Sequence, residues 1–280
     1  ARFYTRYQAK HFLSPDGRLL LTRQNKIFRV WDTHTGLLSG EFAEIEGDDH
    51  VLFFNDNKAL LFWEPGYSTT VKSLDNNTMA WDEMASLLRS LGEIKFLAID
   101  NSRQQLAVIT LTGQLYLIDI LTGEKQLFSS LEKESSFIAV SFSPDAQKLI
   151  TVRNAPGEVG KLFVDAWGIK NAKQPLKLNS ISLYGLYLGL QQFSVSNNGR
   201  NLLTGGNDPK DLYLLDINEG RIVSTLGGHT NNYYYAEFNP QGNKIITASS
   251  HRPVIWNYKL GRPDSLLEEA VTFRALFNPT

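Results

Sequence analysis

A polar turn between two short apolar runs recurs along the whole chain at nearly constant spacing, and this limits the fold more than any other feature. The turns read SPDG from Ser14, NDNK from Asn55, DNSR from Asp100, SPDA from Ser143, SNNG from Ser196, NPQG from Asn239 and NPT from Asn278. Successive starts lie 41, 45, 43, 53, 43 and 39 residues apart. Repeats of this size are supersecondary units that cannot bury their apolar faces alone, so they must stack on neighbours. Pro15, Asp16 and Gly17 supply the turn backbone of the first unit, which opens strand–turn–strand. Many of the runs are apolar on both faces, as strands sandwiched between two other layers require.

The inner grammar repeats as well. In the first unit HFLSPDGRLLLT is followed by KIFRVWD, the turn THTG and a fourth run, LLSGEF. The fourth unit has FIAVSFSPDAQKLITV and KLFVDAW; the fifth has QQFSVSNNGRNLLTGG, DLYLLDINEG and RIVSTLGGHT; the sixth has YYYAEFNPQGNKIITASS and PVIWNYKLG. Gly228-His229 precedes an inner run, and Trp31-Asp32 closes a third run. Leu74-Asp75, Ile118-Asp119, Leu215-Asp216 and Trp256-Asn257 occupy the place of Trp31-Asp32 in later units.

In period, strand grammar and these dipeptides the chain resembles the WD40-repeat family over essentially its whole length. The resemblance implies an all-β fold, a β-propeller of four-stranded antiparallel blades with six complete WD40-like units plus the first strand of a seventh. It also implies a hydrogen-bond network of His, Asp, Ser/Thr and Trp inside a blade. Carried onto the sixth unit, this assigns structural roles to His229, Ser249 and Trp256, with His251 or Arg252 where the turn Asp would stand. Trp31 and Asp32 are the matching blade residues of the first unit.

One domain, 1–280, is expected, with blades at 9–47, 48–92, 93–134, 135–188, 189–230 and 231–270 and a partial blade at 271–280. VTFRALFNPT, from Val271, reads as an inner strand and turn. Such a ring closes either on the N-terminal RFYTRY or through further residues of a longer protein, and the longer protein is the expectation adopted. Two segments interrupt the repeat. From Thr78, Trp81, Met84, Leu88 and Leu91 fall at helical spacing, for either an outer element packed on the second blade or a protruding helix that docks a partner. In the fourth unit NAPGEVGK and the run Gly168 to Leu190 enlarge the blade, its apolar residues serving mainly as core.

Composition narrows the function. Lys plus Arg is 28 against 29 Asp plus Glu, a net charge of -1, without the basic excess that phosphate neutralisation calls for, so no nucleic-acid partner is expected. With no cysteine, disulfides, thiolate chemistry and Cys-based zinc sites are excluded. No apolar run approaches the roughly 20 residues of a membrane span, and a cytoplasmic location is expected. No nucleophile-elbow motif occurs, and GEVGK from Gly157 lacks the spacing and Ser/Thr of a phosphate-binding loop. Asp48-Asp49-His50 reads as a solvated loop, because adjacent residues on an extended chain point apart. Neither a metal, a cofactor nor a catalytic residue is assigned.

In a propeller of this strand order, the loops joining outer to inner strands and second to third strands share one mouth. That mouth gathers Asp48, His50, Trp63, Glu64, Lys95, Asn207, Asp208, Asn232, Tyr234, His251 and Arg252, with Ser135 and Ser136 nearby. Aromatics among polar loop residues suit a protein partner, while some of these residues would only cap the ring and face water. By analogy of fold, the expected function is a protein–protein interaction scaffold or a sensor/regulatory module. The alternative is a propeller enzyme or small-ligand binder converging His11, Lys95, Glu237 and Arg274 in the central channel.

Overall fold

The computed structural model describes residues 11–14, 16–24, 27–43, 50–54, 59–63, 69–74, 78–100, 104–131, 135–169, 176–184, 194–196, 198–205, 211–227, 233–239, 241–249, 253–257 and 262–266. The strands of blade 1 are β1 (His11–Leu13), β2 (Leu19–Gln24), β3 (Ile27–Asp32) and β4 (Leu38–Ala43). Blade 2 has β5 (His50–Phe54), β6 (Ala59–Trp63), β7 (Thr70–Ser73) and the helix α1 (Thr78–Ser90). Blade 3 holds β8 (Ile94–Ile99), β9 (Gln105–Thr110), β10 (Gln114–Asp119) and β11 (Lys125–Ser130). Blade 4 follows with β12 (Phe137–Phe142), β13 (Lys148–Asn154), β14 (Lys161–Gly168) and β15 (Leu176–Tyr184). Blade 5 comprises β16 (Ser194–Val195), β17 (Asn201–Gly205), β18 (Leu212–Asp216) and β19 (Arg221–Leu226). In blade 6 are β20 (Tyr233–Phe238), β21 (Ile245–Ser249), β22 (Val254–Asn257) and β23 (Arg262–Leu266). Every sheet is an antiparallel meander in chain order, and the first strands β8, β12, β16 and β20 lie beside one another.

The second blade corrects the expectation of a fourth strand in every complete unit: among the described residues its sheet has three, and α1 follows the third. The physical reason is the 3.6-residue spacing of its apolar side chains. Met84 and Leu88, one turn apart, are buried with Ala85 against Leu61, Ile94 and Val108, so α1 packs as an outer element and does not protrude. Gly92, at φ +88°, ends it.

The turns between first and second strands of blades 1, 4 and 5 are closed by side chains that the repeat supplies. Ser14 Oγ accepts the Leu19 amide at 2.8 Å and donates to Asp16 Oδ1 at 2.7 Å, and Asp16 in turn accepts the Arg18 amide. Ser143 with Asp145 and Ser196 with Asn198 repeat this arrangement. Gly17, Gly199 and Gly242 occupy the left-handed region at the same turn position, but blade 4 has Ala146 there, at φ 52°. A Cβ in that conformation costs about 1–2 kcal/mol. The turns between third and fourth strands depend on an aspartate. Asp32 accepts the amides of His34 and Thr35, Asp119 those of Leu121 and Thr122, and Asp216 those of Asn218 and Glu219. The two turns of a blade also clasp each other: Thr33 donates its amide to Arg18, Ile120 to Gln104 and Ile217 to Arg200. They therefore share one end of the ring, and the mouth loops share the other.

Three blades carry the same cross-strand bond. The indole of Trp31 donates to Thr22 Oγ1 at 2.8 Å, that of Trp167 to Thr151 at 3.0 Å and that of Trp256 to Thr247 at 2.9 Å. In each case the threonine lies two residues beyond the direct partner on the second strand, a diagonal within reach of an aromatic side chain. Trp256 thus bonds Thr247, whereas Ser249 pairs through its backbone with Tyr233. His229 and the segment 271–280 lie outside the described residues.

Core packing explains the doubly apolar strands. Along β13, Leu149 enters the seam with blade 3 while Ile150 and Val152 enter the seam with blade 5. Strand β9 sends Leu106 and Val108 one way, Ala107 and Ile109 the other. In β6, Leu60 and Phe62 meet Phe28 of blade 1, with ring centroids of Phe28 and Phe62 4.9 Å apart. Five apolar clusters fill the five seams from blade 1 to blade 6. Among the described residues no helix is long and apolar enough to cross a membrane.

Two stability predictions follow from the turns and the indole bonds. Thr247→Val keeps the shape but leaves the buried Trp256 N–H without its acceptor, and a loss of about 1–3 kcal/mol is expected in urea unfolding. Ala146→Gly removes the Cβ from the left-handed region, and a gain of about 0.5 kcal/mol is expected once glycine's extra chain entropy is offset. A neutral result for the first, or a loss for the second, would contradict these accounts.

Candidate functional site

At the mouth, the inner strands of three blades begin with a β-bulge. The register shifts between Ile94 and Phe96, between Phe137 and Ala139, and between Tyr233 and Tyr235, so Lys95, Ile138 and Tyr234 are the extra residues. Bulges re-aim a side chain at a barrel or blade rim. Two of the three, Lys95 and Tyr234, are among the predicted binding residues. Lys95 Nζ donates to the Phe137 carbonyl at 2.8 Å and lies 5.4 Å from the Phe96 ring centre, linking blades 3 and 4. Burial lowers its pKa below the usual lysine value. Tyr233 and Tyr235 are buried on either side of the bulge, as alternation along the strand predicts.

Below Lys95 the seam between blades 3 and 4 opens into a groove of about 290 Å³. Its blade 3 wall is Ser129, Ser130 and Leu131, at the end of β11. Ser135 and Phe137 line it from the connection into β12, and Arg153 and Pro156 from the mouth end of blade 4. Asp165, Trp167 and Lys177 form the floor. Alternation places these groups together: Arg153, Asp165 and Trp167 share parity with Leu149 and face blade 3, while Val164 and Ala166 face blade 5.

The floor is a charged cluster held on all sides. Asp165 is fully buried and accepts from Arg153 Nε at 2.7 Å, Lys177 Nζ at 2.8 Å and Ser180 Oγ at 2.5 Å. Burial pushes its carboxyl pKa up, but the bonds from Lys177, Ser180 and Arg153 outweigh burial and hold it below the ordinary aspartate value. The cations are also braced by rings. Arg153 lies 4.3 Å over Phe163, and Lys177 Nζ lies 5.5 Å from the ring centre of Trp167. Phe128 meets Trp167 edge-on at 5.6 Å, and the Trp167 indole is fixed by Thr151. Such a cluster is pre-formed, and its polar atoms converge on the groove.

Of the other predicted mouth residues, His50 and Trp63 are direct partners across β5 and β6, which places both at the mouth end of blade 2. Asp48, Glu64, Asn207, Asp208, Asn232, His251 and Arg252 lie outside the described residues. In the proposed channel set, Glu237 accepts from the Tyr235 hydroxyl at 2.5 Å, His11 is exposed on β1, and Arg274 lies outside the described residues. Among the described residues, no group of three or more His, Asp or Glu side chains is placed to hold a metal ion. At the opposite end a second concavity, of about 580 Å³, is lined by Asp16, Arg18, Asp32 and His34, and its carboxylates already cap the turns.

Sequence reasoning missed Arg153, Asp165, Trp167 and Lys177. The signal was present in KLFVDAW: an aspartate inside an otherwise apolar strand must find cationic partners when buried.

No family model matches the chain. A stretch of 65 residues is 31% identical to the WD repeat domain-containing protein 83 homolog of Dictyostelium discoideum, covering 23% of this chain and 20% of that protein. The chain thus matches about a fifth of that relative's length. Among solved structures, the β-propeller domain of Myceliophteria thermophila Cps50 (Swd1) superposes with a TM-score of 0.63 at 15% identity, over 88% of this chain and 81% of that one. The fold is a β-propeller of WD40 type.

The buried carboxylate makes the groove acid-sensitive. Because the folded pKa of Asp165 is depressed, its contribution to stability is complete above the unfolded value of about 3.9 and is lost as pH falls through the lower folded value. Asp165→Asn is therefore expected to melt well below the parent protein at pH 7, with the gap narrowing below about pH 4. A gap independent of pH would show that the charge is not what matters.

Proposed function

We propose that this WD40-type β-propeller is a protein-interaction module that presents its loop-bearing mouth to a macromolecular partner. One observation carries the reading. Charged and aromatic side chains are braced by hydrogen bonds and ring contacts around an open groove that reaches the mouth at Ser135, Arg153 and Pro156 and runs down the seam to Trp167 and Lys177, whereas the turn-end carboxylates of Asp16, Asp32, Asp119 and Asp216 are consumed in closing turns. Pre-formed surfaces bind with little loss of side-chain freedom, which is the main advantage a rigid scaffold gives an interface. The apolar seams supply that rigidity: each blade is packed against its neighbour along the strand, so the mouth loops hang from a frame with little freedom to shear. The names of the similar proteins agree with a repeat scaffold and specify no partner for this chain.

The test compares two faces. The immobilised chain is offered to lysate of its source cells beside two variants whose melting temperatures match the parent. One is Trp63→Ala/Tyr234→Ala/Arg252→Ala at the mouth; the other is Arg18→Ala/Arg221→Ala at the turn end. Loss of a captured protein with the mouth variant alone, mapped by cross-linking to the mouth, is expected. Retention by the mouth variant and loss by the turn-end variant would reverse the assignment.

A further inference from the structure

We propose that the groove between blades 3 and 4 is a seat for a carboxylate side chain, taking a glutamate from an acidic, partly apolar segment of a partner protein. The inference rests on the interaction reading and adds the chemistry of what is bound.

Charge balance comes first. Two cations, Arg153 and Lys177, converge on one carboxylate, Asp165, so among the described lining residues the groove holds one positive charge in excess. Arg153 is mostly buried, so its charge is screened less than a surface lysine's would be, while Lys177 is about 37% exposed. Among the described residues, Arg153 meets one acceptor, Asp165, and uses Nε for it. A guanidinium carries five donors, so its terminal nitrogens retain capacity for a second, bidentate carboxylate. One added negative charge completes the balance. A phosphate, at about -1.5 to -2 near pH 7, would overshoot it.

Shape and polarity agree with that charge. Ser129, Ser130 and Ser135 line the blade 3 side of the groove, and Ser129 shares the face of Leu115, which points to blade 4, so its hydroxyl can serve a carboxylate. Leu131, Phe137 and Trp167 give the groove an apolar wall against which the methylenes of a glutamate can lie. The cations are already held by Asp165, Phe163 and Trp167, so binding orders little that was loose. Asp165 itself is not the binding group: it positions Arg153 and Lys177, and its own oxygens are occupied by them and by Ser180.

The experiment is fluorescence anisotropy on the full chain with three labelled ten-residue peptides of alternating sequence: Glu-Leu, Gln-Leu and phosphoserine-Leu. Lys177→Gln is the principal variant, because Arg153 and Ser180 remain on Asp165 and the fold is kept, as its melting temperature checks. Lys177→Arg restores the charge. The Glu-Leu peptide is expected to bind at least about 10-fold more tightly than Gln-Leu and to weaken about 10-fold in Lys177→Gln, with Lys177→Arg near the parent. Equal binding of Glu-Leu and Gln-Leu, no saturation below about 1 mM, or indifference to Lys177→Gln would overturn the proposal. A 10-fold preference for phosphoserine-Leu would overturn the carboxylate assignment in favour of a phosphate. If a partner captured at the mouth survives Lys177→Gln while the peptides fail, the carboxylate seat is refuted and the interaction module stands. If capture at the mouth fails as well, both fall.

Discussion

The seam between successive blades is the contact on which the rest of this structure depends. The second strands β9 and β13 send alternate side chains to opposite neighbours, so the sheets of blades 3 and 4 are apolar on both faces and each requires a blade on either side. A buried Leu, Ile or Phe contributes about 1.5–3 kcal/mol relative to exposure, and each seam contains several. Turn chemistry then decides where each sheet reverses, and the diagonal Trp–Thr bonds pin third strands to second strands at one register. None of these local bonds could support a blade alone.

The groove is a place where that rule is locally broken. On the inner part of the seam between blades 3 and 4, Ile109, Leu115, Phe142 and Leu149 close against one another. Further out, the positions facing blade 3 are filled by Arg153, Asp165 and Trp167, and the blades part into a cavity. A buried ion cluster of this kind is weak support for stability, since its desolvation cost rivals its attraction. Its retention in an otherwise apolar seam therefore directs attention to what it can bind. The same cations serve two ends: they neutralise Asp165 and leave a residual charge in the groove.

Lys95 shows how close a structural role and a binding role can lie. Its place at the mouth was readable from the order of strands and loops. Its engagement was not, because the bulge that makes it the extra residue of β8 and the carbonyl it meets, 42 residues away, depend on how two blades dock. In the same way, nothing local in TMAWDEMASLLRS distinguishes a helix that packs from one that protrudes. The apolar surface offered by Leu61 and Ile94 made that choice.

The repeat, the turns, the all-β character and the helical interruption were legible in the residues alone, because they rest on short-range chemistry. Glycine, serine and aspartate at fixed offsets close turns wherever they occur, and a doubly apolar strand demands two neighbours. Tertiary structure alone decided which threonine receives each indole, that the second blade has three strands and a helix, and that Arg153, Asp165 and Lys177 meet. Those outcomes depend on register and on the docking of residues 9 to 24 positions apart along the chain, distances over which no local propensity acts.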